Sequence, residues 1–136
     1  MGRLLDMLAA GERNVNELSD PQHLREAAEQ VAASASAHGA IHLVAASPAA
    51  ERVVGAALLM SPRLRALMYD QGDLDISGEA VLVVDVNLAS GTSLAHAARR
   101  ARRAGAVQVQ GAVLHALPYA VGPGECGLDG LEILQP

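Results

Sequence analysis

The chain contains no lysine; all ten of its basic residues are arginine. No lysine ammonium can therefore act as a catalytic or phosphate-binding group. Phe and Trp are also missing, and Tyr69 and Tyr119 are the only aromatic residues. That excludes the stacked aromatic platform on which single-stranded nucleic acid binds. Cys126 is the single cysteine, so neither an internal disulfide nor a multi-cysteine zinc site can form. The five histidines (His23, His38, His42, His96, His115) are scattered along the chain and read as ordinary surface or core residues. A net charge of −5 disfavours coating nucleic acid or an anionic membrane. The amino-terminal stretch 1–11 is too short and too interrupted for a signal peptide, and no apolar run approaches a membrane span of about 20 residues. The expectation is a cytoplasmic protein with no membrane association and no nucleic-acid partner.

What is present is aliphatic. Hydrophobic residues make up 51% of the 136 positions. A chain of this length is expected to form one domain that buries roughly two-thirds of its unfolded surface. Residues 3–10 predict a short amphipathic helix ending at Gly11, and 12–19 a polar connector. Asp20-Pro21 is a helix start, and the helix then runs to Gly39. Apolar runs at 41–45, 65–69, 80–85, 107–114 and 131–134 predict strands, with helices at 50–59 and 92–104 between them. Residues 70–79 and 116–129 predict loops. Alternating apolar strands and helices imply an α/β chain with a mostly parallel sheet of about five strands. Ligands of such sheets bind beyond the carboxyl ends of the strands, which directs attention to the ends near Ala45, Asp85 and Leu114.

One of these ends carries a motif. Residues 81–93 read V-L-V-V-D-V-N-L-A-S-G-T-S. A buried strand delivers Asp85 to the sheet edge, a small hydroxyl-rich loop at 88–93 follows, and a helix opens near Thr92. Backbone N–H groups at a helix start carry partial positive charge and suit a phosphate. Gly91 permits close approach of a ligand, and Ser90, Thr92 and Ser93 add hydroxyl donors. Asp85 stands at the distance of a sugar hydroxyl from its own 5′-phosphate.

This stretch resembles the phosphoribosyl pyrophosphate motif of the type I phosphoribosyltransferases: a hydrophobic strand, two adjacent acids, then T-T/S-G-x-T/S. Asp85 matches the first acid. Ala89 and Ser90 stand at the two hydroxyl positions before Gly91, Thr92 fills the free position, and Ser93 matches the closing hydroxyl. The resemblance implies ribose binding by Asp85, with Asn87 as a substitute polar group, and 5′-phosphate binding by Ala89, Ser90, Gly91, Thr92 and Ser93. Fainter pattern likeness to compact, orotate-type members extends over 20–136. It implies a phosphoribosyltransferase-like domain at 20–136, preceded at 1–19 by a hood reduced to a short helix and connector.

The departures from that pattern bear on activity. Val86 replaces the second acid. The expected pyrophosphate loop at 46–52 reads A-S-P-A-A-E-R, with Ser47 and Arg52 as its only donors. The expected catalytic loop at 70–79 holds four acids and no base, although a leaving pyrophosphate needs positive charge aimed at it. Asp73, Asp75 and Glu79 there read either as a solvated acidic loop or as recruiters of magnesium, a cofactor expected only if pyrophosphate chemistry is retained. His115, Leu117 and Tyr119 read as a remnant base pocket or as loop packing. Three further signals carry little. G-P-G-E-C-G at 122–127 lacks the strand-to-helix context of a dinucleotide site. Arg99, Arg100, Arg102 and Arg103 read as a solvated helix face. Cys126 with His115 has no spacing that fixes a nucleophile pair. Two expectations follow: a transferase moving a ribose 5-phosphate group between pyrophosphate and a nitrogenous base, or a non-catalytic relative that senses nucleotides, regulates or dimerises. A homodimer is expected in either case.

Overall fold

A computed structural model describes residues 2–69, 75–118 and 120–135. The chain runs α1 (Gly2–Glu17), α2 (Pro21–Ala37), β1 (His42–Ala45), α3 (Pro48–Met60), β2 (Arg65–Leu67), β3 (Ala80–Leu88), α4 (Thr92–Arg103), β4 (Gln108–Ala116) and β5 (Gly130–Ile133). The strands form one five-stranded sheet in the order β2-β1-β3-β4-β5. Every pairing is parallel. No helix among the described residues is long and apolar enough to cross a membrane.

Local chemistry accounts for the helix starts. Asp20 accepts a bond from the Gln22 N–H over 2.9 Å, with Pro21 in the first helical position of α2. Ser47 accepts from the Ala50 N–H over 3.3 Å at the start of α3, again followed by proline. The sheet separates two aliphatic cores. Leu82, Val84 and Val86 of β3 pack with Val31 of α2 and Val53 and Val54 of α3. On the opposite face, Val81 and Val83 pack with Leu94, Ala97, Ala98 and Ala101 of α4. Covered on both faces, β3 is apolar from Val81 to Val84 rather than alternating, as a central parallel strand requires. Each Val or Leu so buried contributes about 1.5–3 kcal/mol.

Two elements differ from the sequence expectation. The first helix does not stop at Gly11 but continues to Glu17, absorbing most of the expected connector. Residues 11, 14, 15 and 18 turn inward while 12, 13, 16 and 17 are exposed, a helical spacing hidden in a polar segment. Second, β3 runs to Leu88, three residues past Asp85, so Asp85 lies inside the strand.

The topology positions the site. From β1 the chain passes through α3 outward to β2. From β3 it passes through α4 in the opposite direction, to β4. The carboxyl ends of β1 and β3 are therefore adjacent while their connections diverge, which opens the crevice where ligands of α/β sheets bind.

Candidate functional site

The loop after β3 is three residues long, Ala89, Ser90 and Gly91, and then α4 begins. Gly91 occupies the N-cap position with φ +80° and supplies no side-chain cap. Of the first-turn N–H groups of α4, that of Thr92 reaches Ser90 Oγ over 3.4 Å, and Gly91 offers no side-chain oxygen to the others. Glycine is required here twice over. A side chain disfavours this φ, and an added Cβ would lie 2.6 Å from Val121 Cγ2 and 2.7 Å from Cys126 Sγ. Ser90 Oγ and Thr92 Oγ1 stand 3.0 Å apart, and Ser90, Thr92 and Ser93 are all exposed. Ala89 contributes only backbone: its carbonyl accepts from the Val121 N–H over 3.3 Å, while the Leu88 carbonyl accepts from Leu117 N–H over 2.8 Å. The segment after β4 therefore braces the loop from behind. A small cleft is lined by Asp85, Asn87, Leu88, Ala89, Ser90, Gly91, Ser93 and Leu94.

Asp85 is buried, one of two buried polar residues in the described chain, with 6% exposure. Its Oδ1 accepts from Ser47 Oγ–H over 2.7 Å and from the Val86 N–H over 2.8 Å. Burial pushes its carboxyl above the ordinary range, and these two hydrogen bonds pull the other way. Ser47 reaches it because Ala45 pairs with Val84 and the Ala46 N–H bonds the Val84 carbonyl over 2.9 Å. The fold therefore brings Ser47, the sequence candidate for the pyrophosphate loop, to the ribose candidate Asp85.

The other sequence candidates disperse. Asn87 lines the same cleft as Asp85 but forms no hydrogen bond with it. Val86 packs in the core beneath α2 and α3 and Leu88 in the opposite core with Leu94, so strict side-to-side alternation fails at the end of β3. The Asn87 amide turns to α1, donating to the Gly11 carbonyl over 3.1 Å and accepting from Asn14 Nδ2 over 2.7 Å. Arg52 is exposed on α3 and forms no ion pair among the described residues. His115 lies opposite Asn87 in the sheet register. Leu117 is half-buried, against the position a Cβ on Gly11 would occupy. Tyr119, Asp73 and the first half of the expected catalytic loop, 70–74, lie outside the described residues. Asp75 is held below its usual range by hydrogen bonds from Ser77. Glu79 precedes β3 and meets His42 Nδ1 at 2.6 Å; each of these two atoms is shut from solvent with no other partner. Six residue steps of extended strand, roughly 20 Å, separate Glu79 from Asp85. Glu79 thus stands at the opposite end of β3 from the loop at 89–91.

The set-aside signals have structural roles. Residues Pro123–Cys126 form a single 3-10 turn. Arg102 ties that turn down through the Gly127 carbonyl at 2.9 Å and Asp129 at 3.2 Å. Burial raises the Cys126 thiol, which packs behind Gly91. The contacts missed from sequence are Gly11 and Asn14 on α1 and Val121 behind the loop. The inward spacing of 11, 14, 15 and 18 was the available signal for the first two.

At the level of sequence, no family model and no curated protein matches the chain. At the level of structure, it is similar to a purine phosphoribosyltransferase from Pyrococcus horikoshii Ot3, with a TM-score of 0.59 and 13% identity over 79% of this chain and 78% of that one. It is also similar to the glutamine phosphoribosylpyrophosphate amidotransferase of B. subtilis, solved with ADP and GMP. That likeness has a TM-score of 0.60 and 16% identity, over 82% of this chain and 35% of that longer one. Five parallel strands in this order, the hydroxyl-rich loop after β3 and these two likenesses agree: the chain has the type I phosphoribosyltransferase fold.

Proposed function

We propose that the protein binds a ligand containing ribose 5-phosphate, with the 5′-phosphate on the loop at 89–93. The observation that carries this reading is the start of α4 behind Gly91, which has no side-chain cap from its N-cap residue and is flanked by three exposed hydroxyl side chains at the carboxyl edge of the central strand. A phosphate there meets outward N–H groups and the positive end of the helix. Hydrogen bonds to a charged group are worth about 1.5–3 kcal/mol each, so four or five of them suffice without lysine. Asp85, at the same edge, receives the ribose.

Binding is favoured over transfer. Transfer of the phosphoribosyl group needs cations aimed at the departing pyrophosphate, and no basic side chain lines the cleft among the described residues. Asp85 is also the one carboxylate lining it. Magnesium commonly binds through one or two carboxylates plus substrate phosphates. The residues fit the ion only in that mode, with Asp85 as its protein ligand and the pyrophosphate supplying the remainder. When bound, the ion would neutralise pyrophosphate charge. A sensing or regulatory role for the bound ligand, and a homodimer, complete the proposal. Leu4, Leu5 and Leu8 leave an exposed apolar stretch on α1 in its support, and sedimentation analysis tests it.

Calorimetric titration with phosphoribosyl pyrophosphate, ribose 5-phosphate and nucleoside monophosphates, with and without magnesium, tests the main reading. Ser90→Ala and Ser93→Ala, at exposed positions that spare the fold, are expected to weaken every phosphorylated ligand. Absence of binding by all of them would overturn the phosphate site. Pyrophosphate release in the presence of a panel of bases would establish transfer instead of binding alone.

A further inference from the structure

The Asn87 side chain lines the same cleft as Asp85, Ser90 and Ser93, yet its amide is held by α1. Asn87 Oδ1 accepts from Asn14 Nδ2 over 2.7 Å, and Asn87 Nδ2 donates to the Gly11 carbonyl over 3.1 Å. A carbonyl only accepts, so the nitrogen end of the amide must face Gly11. Gly11 and Asn14 lie one turn apart on the same face of α1, and together they grip the amide at both ends. An amide carries two N–H donors and two acceptor lone pairs. One N–H and one lone pair of Asn87 are therefore left over, on a side chain that lines the cleft. Asp85 Oδ2 is unused as well, since both hydrogen bonds to that carboxylate go to Oδ1.

Resting on the ribose 5-phosphate reading above, we infer that Asn14 is a positioning residue of the sugar site: through the Asn87 amide it aims the spare N–H at a sugar oxygen, so that sugar binding and docking of α1 stabilise one another. Held at one end, an amide still turns about that bond; held at both, its plane is set. A donor whose direction is set before the ligand arrives loses less freedom on binding. The coupling is reciprocal: the factor that a docked α1 adds to ligand affinity is the factor that bound ligand adds to the docking of α1. The phosphate loop is braced instead by backbone bonds from Leu117 and Val121, so a phosphate without a sugar does not depend on the Asn14 contact.

The test is a double-mutant cycle on binding, read by calorimetry with ribose 5-phosphate and with inorganic phosphate, on variants whose folding is checked by circular dichroism. Asn87→Ala is expected to weaken ribose 5-phosphate about three- to tenfold, the loss of one hydrogen bond, and Asn14→Ala to weaken it at least about twofold. In the Asn87→Ala background, Asn14→Ala is expected to change that affinity no further, because the group it positions is gone. Inorganic phosphate is expected to bind every variant as it binds the unaltered chain; if it binds too weakly to titrate, the cycle with ribose 5-phosphate decides alone. An Asn14→Ala chain that binds ribose 5-phosphate as tightly as the unaltered chain overturns the inference. So does an equal loss in the Asn87→Ala background, or an equal loss for inorganic phosphate, since each reports a general loosening of the fold. Binding of inorganic phosphate but not of ribose 5-phosphate to the unaltered chain also overturns it and leaves the phosphate site standing. Failure of both ligands to bind overturns the underlying reading itself. If a variant does not fold, hydrogen exchange on the unaltered chain decides: saturating ribose 5-phosphate is expected to slow the α1 amides at least about twofold, and α1 amides that do not respond overturn the inference.

Discussion

Ser47 donates its hydroxyl proton to Asp85 over 2.7 Å, joining the start of α3 to β3 across 38 positions of sequence. The same Ser47 oxygen caps α3 through the Ala50 N–H. One small side chain thus sets a helix start and orients the one buried carboxylate at the sheet's carboxyl edge.

Ser47→Ala removes both bonds. Loss of an N-cap costs about 0.5–2 kcal/mol, and removing a donor from a buried carboxylate adds about 1–3 kcal/mol. A fall in urea unfolding free energy of about 2–4 kcal/mol is expected. Ser47→Thr, which keeps the hydroxyl, should recover most of it.

The raised carboxyl of Asp85 makes stability depend on pH. Its folded-state value lies above the unfolded one, so over the interval between them the folded chain binds more protons. Stability from this group then falls as pH rises out of the acid range, and levels off once Asp85 is ionised in both states. Asp85→Asn removes the titration. Urea midpoints measured across that interval should show the unaltered chain losing ground to the variant with rising pH, and a constant difference above it.

Gly91→Ala tests the loop. The left-handed backbone costs about 1–3 kcal/mol for a residue with a side chain, and the overlaps with Val121 and Cys126 add to that. Gly39→Ala is the control: φ is +65° there, with nothing within 4 Å of an added Cβ. Gly91→Ala should destabilise more than Gly39→Ala and should weaken phosphate binding, which the control leaves intact.

The Asn14–Asn87 pair anchors α1 to the sheet. Asn14→Ala and Asn87→Ala should each cost about 1–2 kcal/mol, with a coupling of about 0.5–1.5 kcal/mol in the double-mutant cycle. Both should speed amide hydrogen exchange in α1 before any other helix, since that helix has few other ties to the sheet.

Local pattern carried much of this. The continuous apolar run at 81–84 announced a strand covered on both faces, because only a central parallel strand is hydrophobic at every position. Asp20-Pro21 announced the start of α2 through its own capping chemistry. The loop at 89–91 was legible because small and hydroxyl residues between a strand and a helix have few other uses. Where local signals competed, reading by sequence failed: Gly11 looked like a helix stop, yet it lies inside α1, where its carbonyl accepts from the Asn87 amide.

The sequence by itself determined the alternation of strands and helices and the place of the hydroxyl-rich loop, since each depends on neighbours a few residues apart. Only the tertiary structure decided which groups meet there. Ser47 reaches Asp85 because β1 and β3 are adjacent. Asn87 turns away to α1, and Glu79 lies at the opposite edge of the sheet. Those outcomes rest on pairing between strands distant in sequence and on where side-chain alternation breaks, neither of which a periodicity within one segment contains.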